Sequence, residues 1–147
     1  MINGLQHIAV IVSDLDAAKL FYGDALGLPE VPRPAAFKFG GAWFAIGNDA
    51  IHLIVQADTT QTDAPPDPGP GYFHGFSTHY AFEVDDLDEL MSRLESHGYP
   101  IEVGPLRRGD GARQTYYRDP DGHVLEFFES TTEDQSDAVR LPAQDLS

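Results

Sequence analysis

The sequence predicts an α+β fold made of two tandem copies of a βαβββ module. Three observations carry that prediction: a ten-residue repeat, a matching succession of short elements after each copy of it, and glycine–proline punctuation at equivalent places. The repeat is His7-Ile-Ala-Val-Ile-Val-Ser-Asp-Leu-Asp16 against His79-Tyr-Ala-Phe-Glu-Val-Asp-Asp-Leu-Asp88, with six of ten positions identical.

Each copy opens as a strand, over residues 5–12 and 78–84, where Val, Ile, Phe and Tyr are concentrated. Acidic residues then open a helix, and Ser13 with Asp16 and Asp85 with Asp88 fit its first turn. The second helix carries Leu87, Leu90, Met91 and Leu94 on one stripe, and the first carries Leu15, Ala18, Tyr22 and Ala25. Gly27 and Gly98 suit C-terminal caps. Pro29 and Pro100 follow, where a helix cannot continue.

Three short strands complete each copy, expected at 35–39, 42–47 and 50–56 and at 101–103, 113–118 and 123–129. Asn48-Asp49 and Pro120-Asp121-Gly122 turn the last pair. The modules are therefore placed at 1–57 and 77–130. The Pro- and Gly-rich stretch 58–76 reads as a linker and 131–147 as an acidic tail.

Composition narrows the function. With no cysteine, disulfides, thiolate metal sites and cysteine nucleophiles are excluded, and any metal must be held by imidazole and carboxylate. A formal net charge of −15 argues against nucleic acid and anionic membranes as partners. The N-terminus has no signal-like stretch and no apolar run is long enough to span a bilayer, so a cytoplasmic location is expected.

Strand alternation places the chemistry. His7 and His79 occupy equivalent positions on the strand face that does not pack the helix. Ile51-His52-Leu53-Ile54 aligns with Leu125-Glu126-Phe127-Phe128, so His52 and Glu126 are equivalent as well. A carboxylate between Leu125 and Phe127 needs a partner or a metal. Two imidazoles and a carboxylate suit one divalent ion, Fe, Mn, Ni, Co or Zn, with positions left open as in a catalytic site. His52 is a fourth ligand, a catalytic base or a pocket residue. Single histidines in strands are more often structural, and His97 and His123 are read that way, with His74 in the linker. Arg107, Arg108 and Arg113 crowd a glycine-rich loop, either as a solvated segment or as a lid for an anionic group. Phe37, Trp43, Arg113 and Tyr116 are the substrate-binding candidates, although Phe37, Phe39, Trp43 and Tyr116 equally suit a core.

Four stretches carry a family resemblance: Leu5-Gln-His-Ile-Ala-Val10, Leu20-Phe-Tyr-Gly-Asp-Ala-Leu-Gly-Leu28, His79 to Asp88, and Tyr117-Arg-Asp-Pro-Asp-Gly-His-Val-Leu-Glu-Phe127. The chain resembles the vicinal oxygen chelate superfamily of glyoxalases, bleomycin resistance proteins and extradiol dioxygenases. The resemblance implies paired βαβββ modules in a cupped, open eight-stranded barrel around one metal. It points to His7, His79 and Glu126 as ligands, with His52 in the fourth place, and to a homodimer. Glyoxalase-like members carry Glu in that fourth place and epimerase-like members Gln, so His52 departs from both. A His, His, Glu triad is found in fosfomycin-resistance thiol transferases and in dioxygenases. The function implied is a metal-dependent enzyme acting on a small oxygen-chelating substrate, with lyase, isomerase or transferase chemistry ahead of dioxygenation. The alternative is a bleomycin-resistance-like protein that sequesters a small molecule without catalysis.

Overall fold

The computed structural model describes residues 1–55 and 78–130, and the expected linker and tail, with His74, fall outside them. The chain divides into two compact units, Met1–Pro70 with Arg118–His123, and Gly71–Tyr117 with Val124–Ser147.

The first unit begins with β1 (His7–Val12), in which Val10 and Val12 are fully buried while His7 is exposed. Asp14, one residue beyond Ser13, caps helix α1 (Leu15–Lys19) by accepting from the Ala17 N–H at 3.0 Å. Ser13 instead donates through both backbone and hydroxyl to Asp121 Oδ1. From Leu20 to Ala25 the helix widens into a π-helical turn, with Leu26 N–H reaching Phe21 O at 2.9 Å. The wider turn carries two consecutive aromatics, Phe21 and Tyr22, both fully buried. Gly23 packs closely beside them, and a Cβ there would lie 3.1 Å from the Phe44 ring.

Strands β2 (Glu30–Val31), β3 (Gly41–Ile46) and β4 (Asp49–Val55) follow. The sheet order is β1-β4-β3-β2, with β1 parallel to β4 and the other pairs antiparallel. The expected strand at 35–39 is absent. Pro34 O accepts from Phe37 N–H, which makes a turn there, and Arg33 holds the loop by donating to Phe39 O at 2.7 Å and Gly41 O at 2.9 Å. The Phe39 carbonyl therefore bonds a side chain.

The second unit runs β5 (His79–Glu83), α2 (Leu87–Ser96), β6 (Val103–Arg107), β7 (Arg113–Arg118) and β8 (Val124–Glu129), in the order β5-β8-β7-β6. Asp86 caps α2 by accepting from Glu89 N–H at 2.8 Å. His97 ends it, its Nδ1 2.8 Å from Arg93 O. Leu87, Leu94, Tyr117 and Leu125 are fully buried, and each such aliphatic side chain contributes about 1.5–3 kcal/mol relative to exposure.

The βαβββ order thus occurs twice, as two four-stranded mixed sheets with few helices. Within the first unit the Asp119–His123 turn is tied down by side chains. Tyr22 donates to Asp119 Oδ2 at 2.7 Å, and His123 Nε2 donates to Ile11 O at 2.8 Å. His123, 3% exposed, has the structural place expected of it.

Candidate functional site

In the first unit the register pairs His52 with Ala9 on β1 and with Trp43 on β3. His7, two residues before Ala9, then shares a face with His52. The three rings form a continuous stack. His7 and His52 lie 4.1 Å apart with planes 14° off parallel, and His52 and Trp43 lie 3.9 Å apart with planes 4° off. Phe37 leans on Trp43 at 5.6 Å and on Phe39 at 5.4 Å, and remains 43% exposed. His7 Nδ1 bonds the Gln6 side chain. Partial burial, then the neighbouring His7 and Arg33, hold the His52 imidazole below its ordinary value, so His52 is neutral at neutral pH.

In the second unit β5 lies parallel to β8, with Ala81 opposite Glu126. His79 projects on the same face, and its Nε2 stands 3.0 Å from Glu126 Oε2. Glu126 is 5% exposed and is held from its other oxygen by Arg108 Nη1 at 3.1 Å. Burial pushes this carboxyl up, but the hydrogen bonds and charges of His79 and Arg108 outweigh it and keep Glu126 below the ordinary range. Tyr116 sits edge-on to His79 at 5.7 Å. Its phenol is pushed up to about 12 by burial and then by the nearby Glu126 charge, so it stays protonated.

Arg113 faces the other way. Its guanidinium bonds Asp88 on α2 at 2.8 and 3.1 Å and reaches Glu129 at 3.4 Å. Arg108 is the member of the basic loop that meets the buried carboxylate. Sequence reasoning noted it only as one of three arginines, because the Arg108–Glu126 contact depends on strand pairing across 18 residues. A groove of about 470 Å³ beside α1, bordered by Lys19, Leu20, Glu30 and Phe44, is lined by none of the candidate metal-ligating or substrate-binding residues.

The structure therefore brings His7 to His52 within one unit and His79 to Glu126 within the other. Among the described residues no group of three or more His, Asp or Glu is gathered as a metal cluster. The His79–Glu126 pair nonetheless suits two neighbouring positions on one ion. Bonds of about 2.1 Å at right angles put their donor atoms about 3 Å apart.

The model of the Glyoxalase/Bleomycin resistance protein/Dioxygenase superfamily matches residues 4–127. The chain belongs to that superfamily. This vicinal oxygen chelate protein is 34% identical over 128 residues to the uncharacterized protein YaeR of Escherichia coli, covering 85% of this chain and 95% of YaeR. It is 29% identical to the metallothiol transferase FosB of Shouchella clausii, covering 99% of this chain and 93% of FosB. Among solved structures it is similar to the lactoylglutathione lyase of Agrobacterium tumefaciens, with a TM-score of 0.65 and 29% identity, covering 88% of this chain and 96% of that one. No helix among the described residues is long and apolar enough to cross a membrane.

Proposed function

We propose that the protein is a divalent-metal-dependent enzyme of the vicinal oxygen chelate superfamily, with a small substrate that chelates the metal through two oxygens. The observation that supports it most directly is the half-buried His79 set 3.0 Å from buried Glu126, in a family whose relatives include a metallothiol transferase and a lactoylglutathione lyase. His7, His79 and Glu126 are the proposed ligands, and the ion is one of Fe, Mn, Ni, Co or Zn. When bound, the metal supplies Lewis-acid stabilisation of an oxyanion developing on the substrate.

The chain's own residues do the rest. Tyr116 steadies the ligand pair by packing edge-on with the His79 ring. His52, neutral at working pH, is a fourth ligand or the base that takes a proton from the substrate. Trp43 and Phe37 offer apolar surface to the substrate's non-reacting part. Arg113, tied to Asp88, acts on a substrate only if that pair opens. The proposed assembly is a cytoplasmic homodimer.

A second reading, sequestration of a small aromatic or apolar ligand without turnover, is favoured by the His7–His52–Trp43 stack and by exposed Phe37. Metal-loaded protein assayed for thiol transfer to fosfomycin and for lactoylglutathione lyase activity separates the two. Metal-dependent turnover lost in Glu126→Gln supports the enzyme. Ligand binding that quenches Trp43, with no turnover under any of the five metals, supports sequestration.

A further inference from the structure

We propose that Gln114 is a specificity residue of the β7–β8 face, its side-chain oxygen accepting a hydrogen bond from a substrate hydroxyl. This rests on the reading above that the face carrying Glu126 takes a small oxygenated substrate, and it calls on no metal contact. Strand alternation gives Gln114 its face. On β7, Arg113 bonds Asp88 of α2 at 2.8 Å and Tyr117 lies edge-on to Phe127 of β8 at 5.9 Å, which marks the helix side of the sheet. Gln114 and Tyr116 therefore project on the opposite side, where Tyr116 meets His79 at 5.7 Å. Glu126 and Phe128, which flank Phe127, share that side. The Arg108 guanidinium reaches both, 3.1 Å from Glu126 Oε1 and over the Phe128 ring at 4.3 Å.

Gln114 is 5% exposed, and its Oε1 is buried with no hydrogen-bond partner. An unpaired buried carbonyl is costly and rare in a native fold. Arg33 Nε and the Tyr117 phenol share that condition, but each has a local reason. The Arg33 guanidinium already donates to two backbone carbonyls, and Tyr117 is fully buried on the helix side. The charged donors on the Gln114 side are engaged, Arg108 with Asp110 and Glu126, and His79 with Glu126. A ligand on this face supplies the missing donor. A hydroxyl suits the place better than an ammonium, because the Arg108 guanidinium repels a second cation there. Gln114 and Tyr116 lie about 7 Å apart along the strand, so the hydroxyl belongs to a part of the substrate set apart from the groups beside Glu126. The substrate class is a short hydroxylated acid.

The probes are glycerate and lactate, which share a carboxylate and an α-hydroxyl and differ in a terminal hydroxyl. Each is titrated into the isotope-labelled full-length protein, and the Gln114 side-chain amide is followed by NMR, its resonances identified by their loss in Gln114→Leu. Glycerate should move those resonances and lactate should not. Gln114→Leu should weaken glycerate about three- to tenfold and leave lactate within about twofold of wild type. The same variant should unfold at higher urea, because it removes an unsatisfied buried oxygen. A lower midpoint would mean a partner within the fold and overturns the proposal. Equal amide shifts from both acids overturn it too. So does a silent Gln114 amide while the backbone resonances of Tyr116 and Glu126 respond, an outcome that keeps the face as a binding surface. If neither acid moves any resonance of β7 or β8, the proposal and the reading of that face fall together. If Gln114→Leu does not fold, Gln114→Glu identifies the amide and the wild-type shifts decide alone.

Discussion

His79 Nε2 and Glu126 Oε2 stand 3.0 Å apart, within hydrogen-bonding distance, on the neighbouring parallel strands β5 and β8. Arg108 Nη1 holds the other Glu126 oxygen at 3.1 Å, and Tyr116 sits edge-on to His79.

Tyr22→Phe tests the turn that carries the Asp-Pro-Asp-Gly motif. It removes the donor to buried Asp119 Oδ2 and leaves that oxygen unsatisfied. The expected loss is about 1–3 kcal/mol by urea denaturation. An unchanged midpoint contradicts it.

Asp119 also gives a pH dependence. Burial pushes its carboxyl up, against the hydrogen bonds it accepts from Tyr22, His123 and Asp121. The folded state therefore binds this proton more tightly than the unfolded chain. The contribution is fully present below the ordinary Asp value of about 4 and is lost as pH rises through the raised native value. Wild type should lose stability relative to Asp119→Asn as pH climbs over that window, in denaturation curves at stepped pH. A gap that moves the opposite way rules the account out.

Trp43 is the single tryptophan, and it lies flat on His52. An imidazolium quenches indole emission, so fluorescence should rise as pH increases through a midpoint below the ordinary histidine value of about 6.5. His7→Ala removes a like charge and should move that midpoint upward. A midpoint insensitive to His7 would mean the two rings do not share the stack.

Gly41→Ala places a Cβ 2.2 Å from the Leu53 backbone oxygen, which no side-chain rotation relieves. The expected cost is about 3 kcal/mol in thermal or urea unfolding. Gly109→Ala meets nothing within 4 Å and should stay within about 0.5 kcal/mol of wild type.

Much of this was legible in the chain. The repeat placed β1 and β5 and made His7 equivalent to His79 and His52 equivalent to Glu126, whereas the pairing of His7 with His52 and of His79 with Glu126 comes from β1 lying beside β4 and β5 beside β8. Local elements were less legible. Phe37 and Phe39 suggested a strand, yet a turn from Pro34 and the Arg33 bonds claim that backbone. The two-residue β2 is too short to show a period, and a π-turn with Phe21 and Tyr22 both buried is not foreseen by a 3.6-residue stripe. Arg108 meeting Glu126, like Arg113 meeting Asp88, depends on which face of a hairpin each base takes, and composition carries no record of that.

The most direct test is elemental analysis of protein purified without chelator, on wild type and on Glu126→Gln. The account predicts about one divalent ion per chain in wild type and none in the variant, with both equally folded. No metal in wild type, even after reconstitution with Mn, Fe, Ni, Co and Zn, would contradict it.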